Sequence, residues 1–165
     1  MGIFRKCSLD TASAYEKYSD MLYRLALSYM QSDSDAQDAV HDVFMKFAVN
    51  SEDFKNETHL RSWLVRVTVN QCLDALRKRK TRQYVQLDEL SDSLPSSDNH
   101  SSDDSAFVLN ALQLVPEKNR AVIVLHCLEG YSVEETARLL EISVSAVKMR
   151  LSRGRDCLRQ ILDKE

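Results

Sequence analysis

Five cations crowd six consecutive positions near the middle of the chain: Arg77, Lys78, Arg79, Lys80 and Arg82. Such a run can neutralise nucleic-acid phosphates without reading sequence. It can equally be a solvated helix end whose charges complement the C-terminal dipole. Both readings stand on these residues alone. A second group lies near the C-terminus. Ser145, Met149, Ser152 and Arg153 fall on one face of a helical register, flanked by Lys148, Arg150 and Arg155. Short serine side chains let a helix axis approach base edges, and Arg153 is long enough to reach guanine N7 and O6. The flanking cations can reach phosphates. The plainer alternative is an amphipathic helix with a solvated basic face. A third group, Asp35, Asp38 and Asp42, shares one helical face and offers carboxylates to a basic partner. Covalent catalysis has no such constellation. His41, His59, His100 and His126 lie in separate segments, with no Ser or Cys partner at suggestive spacing and no glycine-rich phosphate loop. Cys7, Cys72, Cys127 and Cys157 are far apart and lack a CxxC pair, so neither a zinc site nor a disulfide framework is supported. No enzyme activity, metal or cofactor is expected.

The elements that must carry these groups are helices. Only three Gly and two Pro occur in 165 residues, too few for the tight turns of a sandwich or barrel. Tyr15, Tyr18, Leu22, Leu25 and Tyr29 recur at helical spacing over Thr11–Met30. Ser34 with Gln37 three residues on reads as a capping-box start. Ala36, Val40, Val43, Phe44 and Phe47 then form one apolar stripe. After a polar loop, Asn50–Glu57, a long helix is expected from Thr58 to about Arg79. Its apolar residues occupy two roughly opposite sides: Leu60, Trp63, Leu64 and Val67 on one, Val65, Val69, Cys72, Leu73 and Leu76 on the other. Such a helix is sandwiched between neighbours. Ser62, Arg66, Asn70 and Arg77 form the strip between them. Trp63 can be a base-stacking platform or a core residue.

Further on, Val108–Leu114 reads as a short helix. Pro116 opens another, through Leu128, which Glu129-Gly130 stops. Ser132 and Glu135 form a capping box for a short helix ending near Leu140, and Ser143 can cap the last helix. Two short helices with so brief a connection, the second basic, describe a helix-turn-helix, with Val144, Val147, Leu151 and Leu158 toward the core. Glu141 is a local misfit. That turn often wants Gly for a positive φ, and another residue costs up to about 1 kcal/mol.

Charge divides the chain. Residues 1–82 carry thirteen basic and eleven acidic side chains, residues 83–105 none basic and six acidic, and residues 106–165 nine basic and eight acidic, for a formal net of −3. The middle stretch is rich in Ser and Asp and reads as a flexible linker that cannot bury a core. The expected architecture is all-α: a helical domain over 1–82, an acidic linker over 83–105, and a second helical domain over 106–165 containing the helix-turn-helix. No apolar run approaches about 18 residues, so no membrane insertion is expected. Arg5 and Lys6 are not followed by an apolar stretch, so no secretory signal is expected.

At this point the residues carry a resemblance. Leu114–Leu162, and SVEETARLLEIS…AVKMRLSRGR within it, resembles the C-terminal domain of bacterial RNA polymerase sigma factors of the sigma-70 family, most of all the extracytoplasmic-function group. DAQDAVHDVFMKF (Asp35–Phe47) and LRSWLVRVTVNQCLDALRKRK (Leu60–Lys80) resemble the N-terminal sigma domain, in the same order. The departures are His41 for a frequent Gln, Asp42 for Glu, Val115 for Leu and Glu141 for Gly.

The resemblance implies a sigma factor that binds core RNA polymerase, through the β′ clamp helices and the β flap, and directs it to promoter DNA. Asp35, Asp38, Val40, Asp42, Val43 and Phe44 would serve core polymerase binding. Asn56, His59, Arg61, Trp63, Arg66, Asn70, Arg77, Lys78, Arg79 and Lys80 would hold the minus-10 element. Ser143, Ser145, Lys148, Met149, Arg150, Ser152 and Arg153 would read the minus-35 element. An anti-sigma factor is the implied inhibitor, and the bacterial cytoplasm, with sequestration at the inner membrane face, the implied location.

Overall fold

Local capping starts most of the helices. The computed structural model describes residues 9–30, 32–50, 53–86 and 103–164. Helix α1, Thr11–Tyr29, begins where the Asp10 carboxylate accepts the Ser13 N–H at 2.7 Å. Helix α2, Asp33–Val49, is capped by Ser32, which accepts the Asp35 N–H. The start is thus two residues ahead of the expected Ser34. Gln37 serves the first turn differently, donating to the Asp33 carboxylate at 2.8 Å. Helix α3, Glu57–Gln86, is 30 residues long, about 45 Å at the α-helical rise. It outruns the expected end near Arg79.

Helix α4 is Asp103–Gln113, α5 is Glu117–Ile123, α6 is Val133–Leu140 and α7 is Val144–Leu162. The expected linker therefore shrinks at both ends: residues 83–86 belong to α3 and residues 103–105 to α4, while 87–102 lie outside the described residues. Helix α4 likewise starts five residues ahead of the expected Val108. Among the described residues there is no strand.

The first three helices pack mutually, with α1 against both α2 and α3. Leu22, Leu25, Leu60, Leu64 and Val65 are fully buried there. Helix α3 also meets α6, where Ser62 reaches the Arg138 carbonyl. With α1, α2 and α6 all packed against it, α3 is surrounded as a helix apolar on two sides requires. Helix α4 packs on α1 as well as on α5 and α7, so the two modules share one continuous core, running from Ala14 through Leu64 and Leu112 to Leu151. For modules near the lower size limit for independent stability, that sharing adds buried apolar surface neither has alone.

Within the second module α7 crosses α5 at Gly154. A Cβ at that position would lie 2.3 Å from Ile123 Cδ1 and 3.1 Å from its Cγ1, and Ile123 is buried. Gly154→Ala gains helix propensity of about 1 kcal/mol but overpacks the crossing, which costs about 1–3 kcal/mol. The expected result is a net loss, read as a melting temperature about 2–4 °C lower. Ile123→Val in the same chain removes Cδ1 and should recover most of it.

Helix α5 runs into a π-helical turn, Val124–Leu128, closed by the Glu129 N–H donating to the Val124 carbonyl at 2.9 Å. Gly130 follows at φ 77°, a left-handed conformation that Gly adopts freely. Ser132 and Glu135 form the expected reciprocal capping box on α6. Serine hydrogen bonding holds the Glu135 carboxyl below its ordinary range. Helix α6 ends on Glu141 at φ 53° and ψ 45°, and among the described residues this is the sole positive φ outside glycine. The misfit expected from the sequence is therefore real: Glu occupies a position that favours Gly, and the Ile142 N–H donates to the Ala137 carbonyl at 3.0 Å to complete the stop.

Candidate nucleic-acid interface

Helix α7 sorts its residues cleanly. Val147, Leu151 and Gly154 are buried, and Val144 and Leu158 are half-buried against the core. Ser145, Lys148, Met149, Ser152 and Arg153 are exposed. Ser143 begins the helix by accepting the Ala146 N–H at 3.1 Å. Arg150 is half-buried and donates to the Lys118 carbonyl at 3.4 Å, which ties α7 to the start of α5. The exposed set forms a continuous face carrying two small hydroxyls, one flexible thioether and two cations. Such a face can approach base edges while its cations take phosphates.

The candidates on and just before α3 divide into four groups. Asn56 and His59 serve the helix start: the Asn56 side chain accepts the His59 N–H at 2.8 Å, and His59 Nδ1 accepts the Lys55 N–H at 3.3 Å. Trp63 is half-buried in an aromatic cluster, with ring centroids 6.0 Å from Phe47 and 5.7 Å from Phe54. Arg66 and Asn70 share one strip and line a cleft of about 290 Å³ with Val69, Leu73, Leu140 and Arg150. The cationic end of α3 is ion-paired in part. Arg77 meets Asp74 at 3.1 Å, Arg79 meets Asp35 at 3.2 Å and Lys80 meets Glu117 at 3.1 Å, while Lys78 is exposed.

On α2 the outcome is split. Val40, Val43 and Phe44 are 5%, 0% and 4% exposed. Val40, Val43 and Phe44 therefore line the molecule's own core and cannot touch a partner directly. A module this small has one apolar stripe on α2 and needs it to hold α1 and α3. The surface of α2 belongs instead to Asp38 and Asp42, both exposed, with half-buried Asp35. Asp42 accepts from Gln71 at 3.1 Å, so α3 orients that carboxylate. His41 and Met45 are exposed on the same helix.

Several polar pairings that matter have no signal in the sequence, some of them at residues that are themselves candidates. Glu57 bonds both Lys17 and Tyr18, joining α1 to the start of α3. Those bonds hold the Glu57 carboxyl below its ordinary range, and burial with the Glu57 contact pushes the Tyr18 phenol well up. Arg24 reaches Glu129 with two hydrogen bonds, at 2.5 and 3.0 Å. Arg61 lies over the Tyr131 ring at 5.5 Å, Ser62 Oγ donates to the Arg138 carbonyl at 3.4 Å, and Arg66 meets the Glu141 carboxylate at 3.2 Å. Arg120 is buried and donates to three backbone carbonyls. Apart from the Val115 and Gln113 carbonyls that Arg120 reaches, these partners lie far along the chain, so no periodic signal marks the pairing. Cys72, Cys127 and Cys157 are free thiols, and burial pushes that of Cys72 up to about 12. Cys7 lies outside the described residues. Among the described residues no group of three His, Cys, Asp or Glu side chains could hold a metal ion, and no helix is long and apolar enough to cross a membrane.

Comparison with known proteins assigns this architecture. The family "Sigma-70 region 2" matches residues 14–82, spanning α1, α2 and most of α3. "Sigma-70, region 4" matches residues 108–158, from α4 into α7. The chain is 32% identical over 149 residues to the ECF RNA polymerase sigma factor SigM of Mycobacterium tuberculosis, covering 90% of this chain and 74% of that one. It is 27% identical over 164 residues to the ECF RNA polymerase sigma factor SigW of Bacillus subtilis, covering 92% and 88%. Among solved structures, CnrH in complex with the cytosolic domain of CnrY superposes with a TM-score of 0.68 at 26% identity, over 94% of this chain and 88% of that one. Two family matches in chain order, with relatives similar along nearly the whole length, leave one assignment: the chain belongs to the extracytoplasmic-function group of sigma-70 RNA polymerase sigma factors.

Proposed function

We propose that the protein brings core RNA polymerase to promoters that carry two short elements, read separately by its two modules. The observation that carries this reading is the exposed face of α7. Ser145, Lys148, Met149, Ser152 and Arg153 point outward from a capped, core-anchored helix within a helix-turn-helix. That face suits the minus-35 duplex, with Ser143 and Arg150 supporting the helix start and its phosphate contacts. Helix α3 suits single-stranded minus-10 DNA. Arg61, Arg66 and Asn70 would meet the bases and backbone, Arg77, Lys78, Arg79 and Lys80 would neutralise phosphates, and Asn56, His59 and Trp63 would shape the entry. Asp35, Asp38 and Asp42 would take basic groups on the β′ clamp helices, and the second module would also meet the β flap. Polymerase holding both modules makes the second DNA contact intramolecular, a gain of about 10²–10⁴ in avidity where the geometry fits. Chemistry is the polymerase's, so the chain itself is read as non-catalytic.

The working location is the bacterial cytoplasm. An anti-sigma factor, sequestering the chain at the inner membrane face, is the proposed inhibitor. Support for a protein partner comes from the solved complex of CnrH with the cytosolic domain of CnrY.

Run-off transcription from a promoter library, with core polymerase and with or without the protein, tests the reading. Transcripts should appear only with the protein, from promoters sharing two short elements. Arg153→Ala should leave core binding intact and lower transcription by the equivalent of about 1–3 kcal/mol, with relaxed preference at one minus-35 position. Active polymerase that gains no transcripts from the folded protein overturns the reading.

A further inference from the structure

The cleft beside Arg66 has a chemistry of its own. Its volume is about 290 Å³, at the small end of ligand sites, which run to about 300–1,000 Å³. The floor is apolar and comes from three helices: Val69 and Leu73 of α3, Ala121 of α5 and Leu140 of α6. Ala121 is buried, and Val69, Leu73 and Leu140 are half-buried. The rim is cationic and also comes from three helices: Arg66 of α3, Lys118 of α5 and Arg150 of α7. An apolar floor with a few convergent polar groups is the usual make-up of a small-molecule site.

The charge on the rim is unbalanced. Glu117 supplies the one carboxylate in the lining, and Lys80 already holds it at 3.1 Å. Arg150 donates to the Lys118 carbonyl at 3.4 Å, which ties the α5 and α7 sides of the rim together. Arg66 gives one Nη to Glu141 at 3.2 Å, while its Nε is buried with no hydrogen-bond partner. A buried donor without an acceptor is costly, and an acceptor entering the cleft removes that cost. A carboxylate suits the position, because a guanidinium offers its N–H groups as a planar fork that two carboxylate oxygens match.

We propose that this cleft binds a small organic acid, with the carboxylate on the Arg66–Arg150 rim and an apolar body on the floor of Val69, Leu73 and Leu140. The floor decides against a nucleic-acid phosphate, which brings no apolar body to cover it. The volume decides against a peptide, which needs a longer groove. The site does not rest on the minus-10 reading of α3, since it needs only the walls described above. A bound acid touches α3 and the second module together, so it stabilises the folded chain by mass action.

The test titrates the full chain with phenylacetate, followed by backbone amide NMR shifts. Phenylacetamide has the same body without the charge, and acetate has the charge without the body. Phenylacetate should shift the amides around Val69, Leu73 and Ala121 saturably, with a dissociation constant of about 0.1–1 mM, as expected for so few atoms. The amide and acetate should each bind at least about tenfold more weakly. Arg66→Gln and Lys118→Gln should each weaken phenylacetate at least about fivefold. Lys164→Gln removes the same charge from an exposed position near the C-terminus and should stay within about twofold of wild type. Circular dichroism confirms retained helicity, and Lys118→Gln, at an exposed position, tests the rim by itself where Arg66→Gln fails to fold. No saturable shift up to about 10 mM phenylacetate overturns the site. So does equal binding of the amide or of acetate, or binding that the folded rim variants leave unchanged.

Discussion

Arg120→Ala is expected to cost about 3–5 kcal/mol of folding stability, a large fraction of the total for a chain of this size. Arg120 is 8% exposed. Its Nε donates to the Val115 carbonyl at 2.7 Å, one Nη to the Gln113 carbonyl at 2.6 Å and the other to the Ser28 carbonyl at 3.4 Å. The guanidinium also lies 5.7 Å from the Tyr29 ring centroid. The Gln113 carbonyl is at the C-terminal end of α4, where carbonyls have no partner within the helix. Removing the side chain strands these acceptors in a buried site. It also cuts a tie between the modules, because Ser28 and Tyr29 belong to α1. Arg120→Lys should recover less than half the loss, since one ammonium cannot span acceptors that a planar fork reaches together. Chemical denaturation measures both variants. An Arg120→Ala midpoint within about 0.5 kcal/mol of wild type, typical of a surface substitution, would show that water replaces the fork without penalty.

Trp63→Ala should cost about 3 kcal/mol, the lower end of the range for an aromatic removed from a packed site. The ring is half-buried and contacts Phe47 and Phe54, and Phe54 in turn stands 5.4 Å from the His59 ring. Whether it also stacks on a base is decided by Trp63→Leu, which keeps apolar bulk but lacks a π face. Stacking on one base is worth about 1–3 kcal/mol. Trp63→Leu holoenzyme is therefore expected to open promoters about 5–150-fold more slowly than its modest loss of stability accounts for. Opening that tracks stability alone would confine Trp63 to the core. Permanganate footprinting of melted thymines, beside a thermal melt of the free chain, provides the two readouts.

The sequence was most informative where signals are local. The Ser132–Glu135 capping box, the Gly130 stop and the Ser143 cap are each made by residues within three or four positions of one another, and each stands as expected. The misfit at Glu141 was legible because a positive φ is a backbone requirement of the turn. The candidate faces of α7 and α3 were legible from helical period, since one face must pack and the other is left over. Helix ends were read less well. Helix α3 continues through residues 80–86, where Tyr84 and Val85 are exposed and adjacent rather than at helical spacing, and nothing periodic marks where such a helix stops. The resemblance offers Val40, Val43 and Phe44 as partner contacts, yet the apolar stripe of α2 is needed for its own core.

By itself, then, the sequence determined an all-α chain, its helical registers, its helix-turn-helix and the family to which those motifs belong. These follow from short-range spacing and capping, which one strand of residues records in full. Only the tertiary structure decided how the modules sit together: Arg24 on Glu129, Arg66 on Glu141, and Arg120 reaching into α1. Those partners are separated by 75 to 105 positions for the two ion pairs and by 92 for the Arg120–Ser28 bond. Such pairings depend on two surfaces being complementary in shape and charge at once. No periodicity in either segment encodes the other, so the covering of the α3 strip becomes visible only when both are folded.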